Sequence, residues 1–163
     1  MIREIVWKTG QRFVAGFEGT DIPEDFRELV HKHKVGNVIL FKRNVESASQ
    51  LKKLCDDLQA LIMEETGLPA FITIDQEGGA VTRLPEDCVI VPGAMALAST
   101  GNVENAYQAG VITGRELSAV GVNFDLAPVM DTNSNPRNPV IGVRSFGDQP
   151  ETVANYGDRK SVV

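Results

Sequence analysis

The sequence predicts an α/β protein built on a parallel sheet. Two observations carry that reading. Short, nearly continuous apolar runs such as "VGNVILF" (35–41) alternate with longer stretches whose apolar residues recur at helical spacing. Strands covered on both faces need apolar residues at successive positions, and right-handed helical crossovers return the chain to the same sheet edge.

Phe13 to Phe17 forms the first short apolar piece and runs into "EGTD". Asp21 is placed to cap a helix with Pro23 in its first turn and Phe26, Leu29 and Val30 on one face. Residues 35–41 give the second strand. From Ser47, residues Ala48, Leu51, Leu54, Cys55, Leu58, Leu61 and Ile62 keep helical spacing until Thr66 and Gly67 stop it. Ala70 to Ile74 is the third strand, followed by a loop bearing Pro and Gly. Asn102 caps a further helix that ends near Val120 and Gly121, and "VNFDLAPVMD" (122–131) is the fourth strand.

The 163 residues, 42% hydrophobic, suffice for one packed domain. A net charge of -6 argues against nucleic acid or an anionic membrane as partner, because both attract clustered Lys and Arg. A small molecule is the better expectation. The opening "MIREIVWKTG" has no apolar signal segment, no run approaches membrane-spanning length, and a cytoplasmic protein is expected. Cys55 and Cys88 lack metal-ligand spacing and are read as reduced structural thiols. His31 and His33 diverge around a helix instead of converging on a metal, so they are read as solvated. No metal and no cofactor is expected.

The candidate site lies where polar residues follow strands, at the sheet edge that receives ligands in barrels and open sheets alike. In "FITIDQEGGAVTRL" (71–84), Gly78 and Gly79 permit a sharp turn and close approach of a ligand, while Asp75 can accept hydrogen bonds from neighbouring hydroxyls. Arg83 and Arg144 can donate to the same ligand, and Asp131 closes the fourth strand. Such a set suits a sugar. A capping role for Asp75 and a structural role for Glu77 are the bland alternatives. Asp75 and Glu77 also invite assignment as a retaining glycosidase pair, since residues i and i+2 share a strand face, but spacing alone does not decide it. The run "DTNSNPRNPVIG" (131–142) reads as a rigid loop placed to wall a pocket.

Five stretches in order, "GFEGTDI" (16–22), "GNVILFKRN" (36–44), "ITIDQEGGAVTRL" (72–84), "GVNFDLAPVMDTNSNPRNP" (121–139) and "VIGVRSFGDQP" (140–150), resemble glycoside hydrolase family 3, in its bacterial β-N-acetylglucosaminidase branch. The resemblance covers residues 10 to 157. It implies the first half, about four β/α units, of a (β/α)₈ TIM barrel, with Asp75, Arg83 and Arg144 binding sugar hydroxyls and Glu77 in support. Where Ala80 stands, the family pattern usually has Arg.

The resemblance further implies retaining hydrolysis of terminal β-linked N-acetylglucosamine through a covalent glycosyl-enzyme. The acid/base histidine and the nucleophilic aspartate of the family pattern have no counterpart before Val163, so no catalytic residue is assigned and the chain itself is expected to be inactive. Residues 1–157 are accordingly expected to be a truncated barrel domain. The closing "DRKSVV" departs from the pattern and equals the translation of a common sequencing adapter, so 158–163 is expected to be a non-native tail. Exposed barrel edges are expected to promote self-association. A noncatalytic sugar-binding protein and a family 3 β-glucosidase remain as alternatives. A flavodoxin-like module would place a phosphate cradle after the first strand, where "GFEGTD" offers an acid.

Overall fold

The computed structural model describes the backbone of residues 2–161 and the side chains of residues 4–161; Val162 and Val163, the end of the segment expected to be non-native, lie outside the described residues. In chain order the elements are α1 (Ile2–Gly10), β1 (Val14–Ala15), α2 (Glu24–His33), β2 (Asn37–Leu40), α3 (Ala48–Thr66), β3 (Phe71–Ile74), α4 (Ala94–Ser99), α5 (Glu104–Ala119), β4 (Phe124–Asp125) and α6 (Pro150–Ser161). Short 3₁₀ turns occupy Lys42–Asn44 and Gly142–Arg144. The strands form one parallel sheet in the order β1-β2-β3-β4, and each is followed by helix. This is the α/β alternation expected of the first four units of a barrel.

The described chain falls into two compact units, residues 1–74 with 117–125, and residues 75–116 with 126–163. The first holds the sheet. Val38 and Leu40 of β2, Ile72 and Ile74 of β3, and Leu51 and Leu58 of α3 are fully buried, which explains why these strands read as unbroken apolar runs. Ser47 caps α3 by accepting from the Gln50 N–H at 3.2 Å, and Gly67 ends it in the left-handed conformation at φ 76°.

Amide side chains extend the short strands. Asn37 donates to the carbonyls of Gln11 and Phe13 and accepts from the Phe71 N–H, tying three neighbouring segments together. Asn123 accepts from the Ile72 N–H at 2.8 Å and donates to the Ala70 carbonyl at 2.9 Å, so its side chain continues the ladder beside β3. Gln59 forms the same two-way contact with Ala70 from α3.

The second unit packs around Val91, Leu97, Ala106, Phe146, Val153 and Tyr156, with the rings of Phe146 and Tyr156 5.7 Å apart. Val153 and Tyr156 belong to α6, which begins at Pro150, a residue suited to a first turn where its missing N–H costs nothing. The helix runs on through Ser161. Arg159 pairs with Glu104 at 3.2 Å and lies over the Tyr107 ring, and Lys160 is 6% exposed.

Three details differ from the sequence reading. α2 begins at Glu24 with extended Pro23 at its N-cap, so Asp21 does not cap it. The fourth strand pairs only at Phe124 and Asp125, opposite Thr73 and Ile74, because β3 itself ends at Ile74. α1 and α4 were not anticipated. α1 is held by Trp7, whose indole donates to the Thr66 carbonyl at 2.8 Å, and α4 is a six-residue Ala-rich turn of helix within the Pro- and Gly-bearing loop.

Candidate functional site

The loop that follows β3 is organised by its own side chains. Gln76, 1% exposed, accepts through Oε1 from the backbone N–H groups of Arg83 and Leu84 at 2.8 and 3.1 Å, and its amide meets the Thr82 hydroxyl. That folds residues 82–84 back onto Gln76. Between them, Gly78 and Gly79 adopt φ of 88° and 57°. A Cβ on Gly78 would lie 2.9 Å from the Pro92 carbonyl, and one on Gly79 would lie 2.8 Å from Gly93 Cα. Both the left-handed backbone and the close approach therefore require glycine here.

Two carboxylate–guanidinium pairs stand on this loop. Glu77, 7% exposed, receives Arg144 in bidentate fashion: Nε donates to Oε2 at 2.9 Å and Nη2 to Oε1 at 2.6 Å. Asp75 and Arg83 meet more loosely, with Nη2 3.5 Å from Oδ2. The Glu77 hydrogen bonds, followed by the charges of Glu77, Asp75 and Asp131, raise the Arg144 pKa further above its ordinary value against the opposing effect of burial. Arg144 stays charged.

Arg144 sits in the 3₁₀ turn and also donates through Nη1 to the Val140 carbonyl at 3.2 Å. The strap after Asp131 is stitched to the residues just beyond it. Ser145 Oγ donates to the Asp131 carbonyl at 2.6 Å, and the Asn133 N–H donates to the Gly147 carbonyl at 2.8 Å. Asp75, Glu77, Arg83, Asp131 and Arg144 thus belong to one structural unit. Two buried polar atoms of that unit, Arg83 Nε and Asn133 Oδ1, have no hydrogen-bond partner among the described residues.

A cavity of about 360 Å³ opens beside the Glu77–Arg144 pair, walled by Gly79, Ala80, Met95, Ala96 and Val143. Asp75 and Arg83 do not line it. The α4 residues in this wall were missed in the sequence, although the "AMALAS" run after Gly93 carries the Ala-rich signal of a helix. Each carboxylate of the suspected acid pair is engaged with its own guanidinium.

The histidines lie in the first unit, on α2, and are exposed; His31 Nδ1 is 2.9 Å from Glu65 Oε1. Among the described residues, no three His, Cys, Asp or Glu side chains are grouped to hold a metal. Cys55 and Cys88 are free thiols. Burial pushes the first up to about 12; burial, followed by a Glu116 contact, raises the second to about 11. Neither is poised as a nucleophile. No helix among the described residues is long and apolar enough to cross a membrane.

Residues 4–161 match the family described as Glycosyl hydrolase family 3 N terminal domain. Beta-hexosaminidase A of Pseudoalteromonas piscicida is 39% identical over 144 residues, covering 85% of this chain and 24% of that protein. The structure of a glycoside hydrolase family 3 beta-N-acetylglucosaminidase from Paenibacillus sp. str. FPU-7 superposes with a TM-score of 0.92 at 46% identity, over 96% of this chain and 30% of that one. NagZ from Neisseria gonorrhoeae, solved in complex with N-trifluoroacetyl-D-glucosamine, gives a TM-score of 0.79 at 31% identity over 90% of this chain and 44% of that one. The chain spans less than half the length of each of these proteins.

Proposed function

The chain belongs to glycosyl hydrolase family 3, in that family's N terminal domain, and from this membership we propose that it supplies the sugar-binding positions of a β-N-acetylhexosaminidase acting on terminal β-linked N-acetylglucosamine. The observation that carries the reading is the double pair after β3, in which Asp75 meets Arg83 and Glu77 meets Arg144. A sugar presents neighbouring hydroxyls, each both donor and acceptor, so carboxylates and guanidinium groups side by side satisfy both halves of each hydroxyl.

The two pairs divide the work. Arg144 places three of its five N–H donors on Glu77 and Val140, whereas Arg83 reaches Asp75 only at 3.5 Å and keeps Nε unpaired. Asp75 and Arg83 are therefore the adaptable contacts, and Glu77 and Arg144 the rigid wall. In this reading the reaction is hydrolysis with retention through a covalent glycosyl-enzyme, on glycosides such as cell-wall muropeptides, and none of the residues assigned here is the nucleophile or the acid/base. Free thiols and an acidic composition support a cytoplasmic setting. Residues 1–157 form the barrel part of the domain and 158–163 the non-native tail, and the exposed sheet edges drive self-association.

Titration of N-acetylglucosamine into the 163-residue chain, followed by ¹H–¹⁵N NMR, tests the sugar reading. Shifts at Asp75, Arg83 and Arg144 that vanish in Asp75→Asn are expected; an unresponsive wild-type spectrum would reject it. Binding without turnover of an aryl N-acetylglucosaminide favours the noncatalytic alternative. Tighter binding of glucose than of N-acetylglucosamine would favour a β-glucosidase.

A further inference from the structure

We propose that Gln76 is a positioning residue for the site, holding the main chain of Arg83 so that its guanidinium stays beside Asp75. The proposal rests on the sugar-binding reading of Asp75 and Arg83, while the geometry behind it involves no sugar. Gln76 follows Asp75 directly and is almost wholly buried. Its Oε1 accepts the N–H groups of both Arg83 and Leu84, seven and eight residues further on.

The turn between them is closed by backbone. Glu77 and Gly78 each donate an N–H to the Val81 carbonyl at 3.1 Å, and the Gly79 N–H reaches the Val91 carbonyl at 3.0 Å. Beyond Val81, the amides of Arg83 and Leu84 turn to the Gln76 side chain instead. A chain that has passed through two left-handed glycines keeps little of the direction it had at Asp75, because glycine restricts the backbone least. The Gln76 amide restores that direction across the turn.

Satisfying two buried N–H groups would by itself be a structural task, but Arg83 adds a second consequence. Its guanidinium is weakly held: Nη2 stands 3.5 Å from Asp75 Oδ2, and Nε is buried without a hydrogen-bond partner among the described residues. The anchored main chain therefore decides where the guanidinium lies. Reach matters as much as chemistry. An asparagine carries the same amide on a side chain shorter by one carbon–carbon bond, about 1.5 Å, which takes its oxygen out of range of the two N–H groups. A glutamate keeps both the reach and the acceptor.

The test uses the full 163-residue chain and reads Arg83 directly. In Gln76→Asn the Arg83 Nε–H resonance, shielded by burial in the wild type, is expected to exchange rapidly with water, while Gln76→Glu keeps it slow. N-acetylglucosamine affinity should fall about tenfold in the first variant, the size of one charge-assisted hydrogen bond, and stay within about threefold in the second. Arg83→Met should cost about tenfold in the wild-type background and less than about twofold on top of Gln76→Asn, since a displaced guanidinium has nothing left to lose. Leu97→Ala, which opens a void in the core of the same unit, should melt earlier yet leave the Arg83 resonance in place.

An unchanged Arg83 signal in folded Gln76→Asn overturns the proposal, as do additive losses in the cycle with Arg83→Met. Loss of the signal in Leu97→Ala does the same, by making the effect one of general loosening. If Gln76→Asn does not fold, Gln76→Glu decides: a folded protein without the slow Arg83 signal overturns the proposal, and one retaining it supports the role. The resonance is read without sugar, so failure of the wild-type chain to bind N-acetylglucosamine would strike the sugar reading and leave the Arg83 signal to decide for Gln76.

Discussion

Glu77 commits its N–H and both carboxylate oxygens to fixed partners. Removing the side chain leaves the Arg144 guanidinium, less than a third exposed, without its bidentate acceptor. Glu77→Ala is expected to lower the unfolding free energy by about 2 to 3 kcal/mol, as for a broken, largely desolvated pair. Urea denaturation checks this, and a loss of a few tenths would mean that solvent screens the pair. Asp75 is the contrasting case. Its 3.5 Å contact with Arg83 is half-buried, so Asp75→Asn should change stability by less than about 1 kcal/mol. Its sugar affinity should nevertheless fall about tenfold, because the charged acceptor is lost. Calorimetric titration alongside the urea melts separates the two effects.

Among the elements, the weakest strand is the one most dependent on a side chain. β4 has two ladder residues, and Asn123 adds two further contacts to β3. Asn123→Ala strands the Ile72 N–H, while the Ala70 carbonyl keeps its bond from Gln59, and should cost about 1 to 2 kcal/mol with local loss of amide protection in β3. A second tie joins α2 to α3. Lys34, followed by His31, holds the Glu65 carboxyl below the usual glutamate range. A depressed carboxyl stabilises the fold above its unfolded value of about 4.3, and that contribution is lost as pH falls through the lower folded value. Glu65→Gln should therefore flatten the acid limb of the stability profile. Unfolding at a series of pH values measures this; identical slopes in both proteins would remove the tie from the account.

For the molecule as a whole, the sheet of the first unit leaves β1 and β4 with one partner each. Phe13 is 59% exposed, and Val14 and Phe124 are each 50% exposed. Unpaired strand edges beside apolar side chains are templates for association. Light scattering after size-exclusion chromatography is expected to give a mass that rises with concentration. A single monomer peak at every loading, with cooperative melting, would count against association.

The sequence by itself determined the succession of strands and helices, because periodicity and caps are local: Ser47 and Gly67 bound α3 where the pattern placed them. It also located the polar loop after β3, since a strand that stops in Asp75, Gln76 and Glu77 followed by two glycines is visible without any partner. α1 and α4 were less legible, the first depending on the distant Thr66 carbonyl and the second being only six residues long. The pairing of acids with arginines was decided by the tertiary structure alone. Glu77 and Arg144 stand 67 residues apart. No local rule links such positions, because contact over that separation exists only after the chain has met the conformational cost of bringing its segments together.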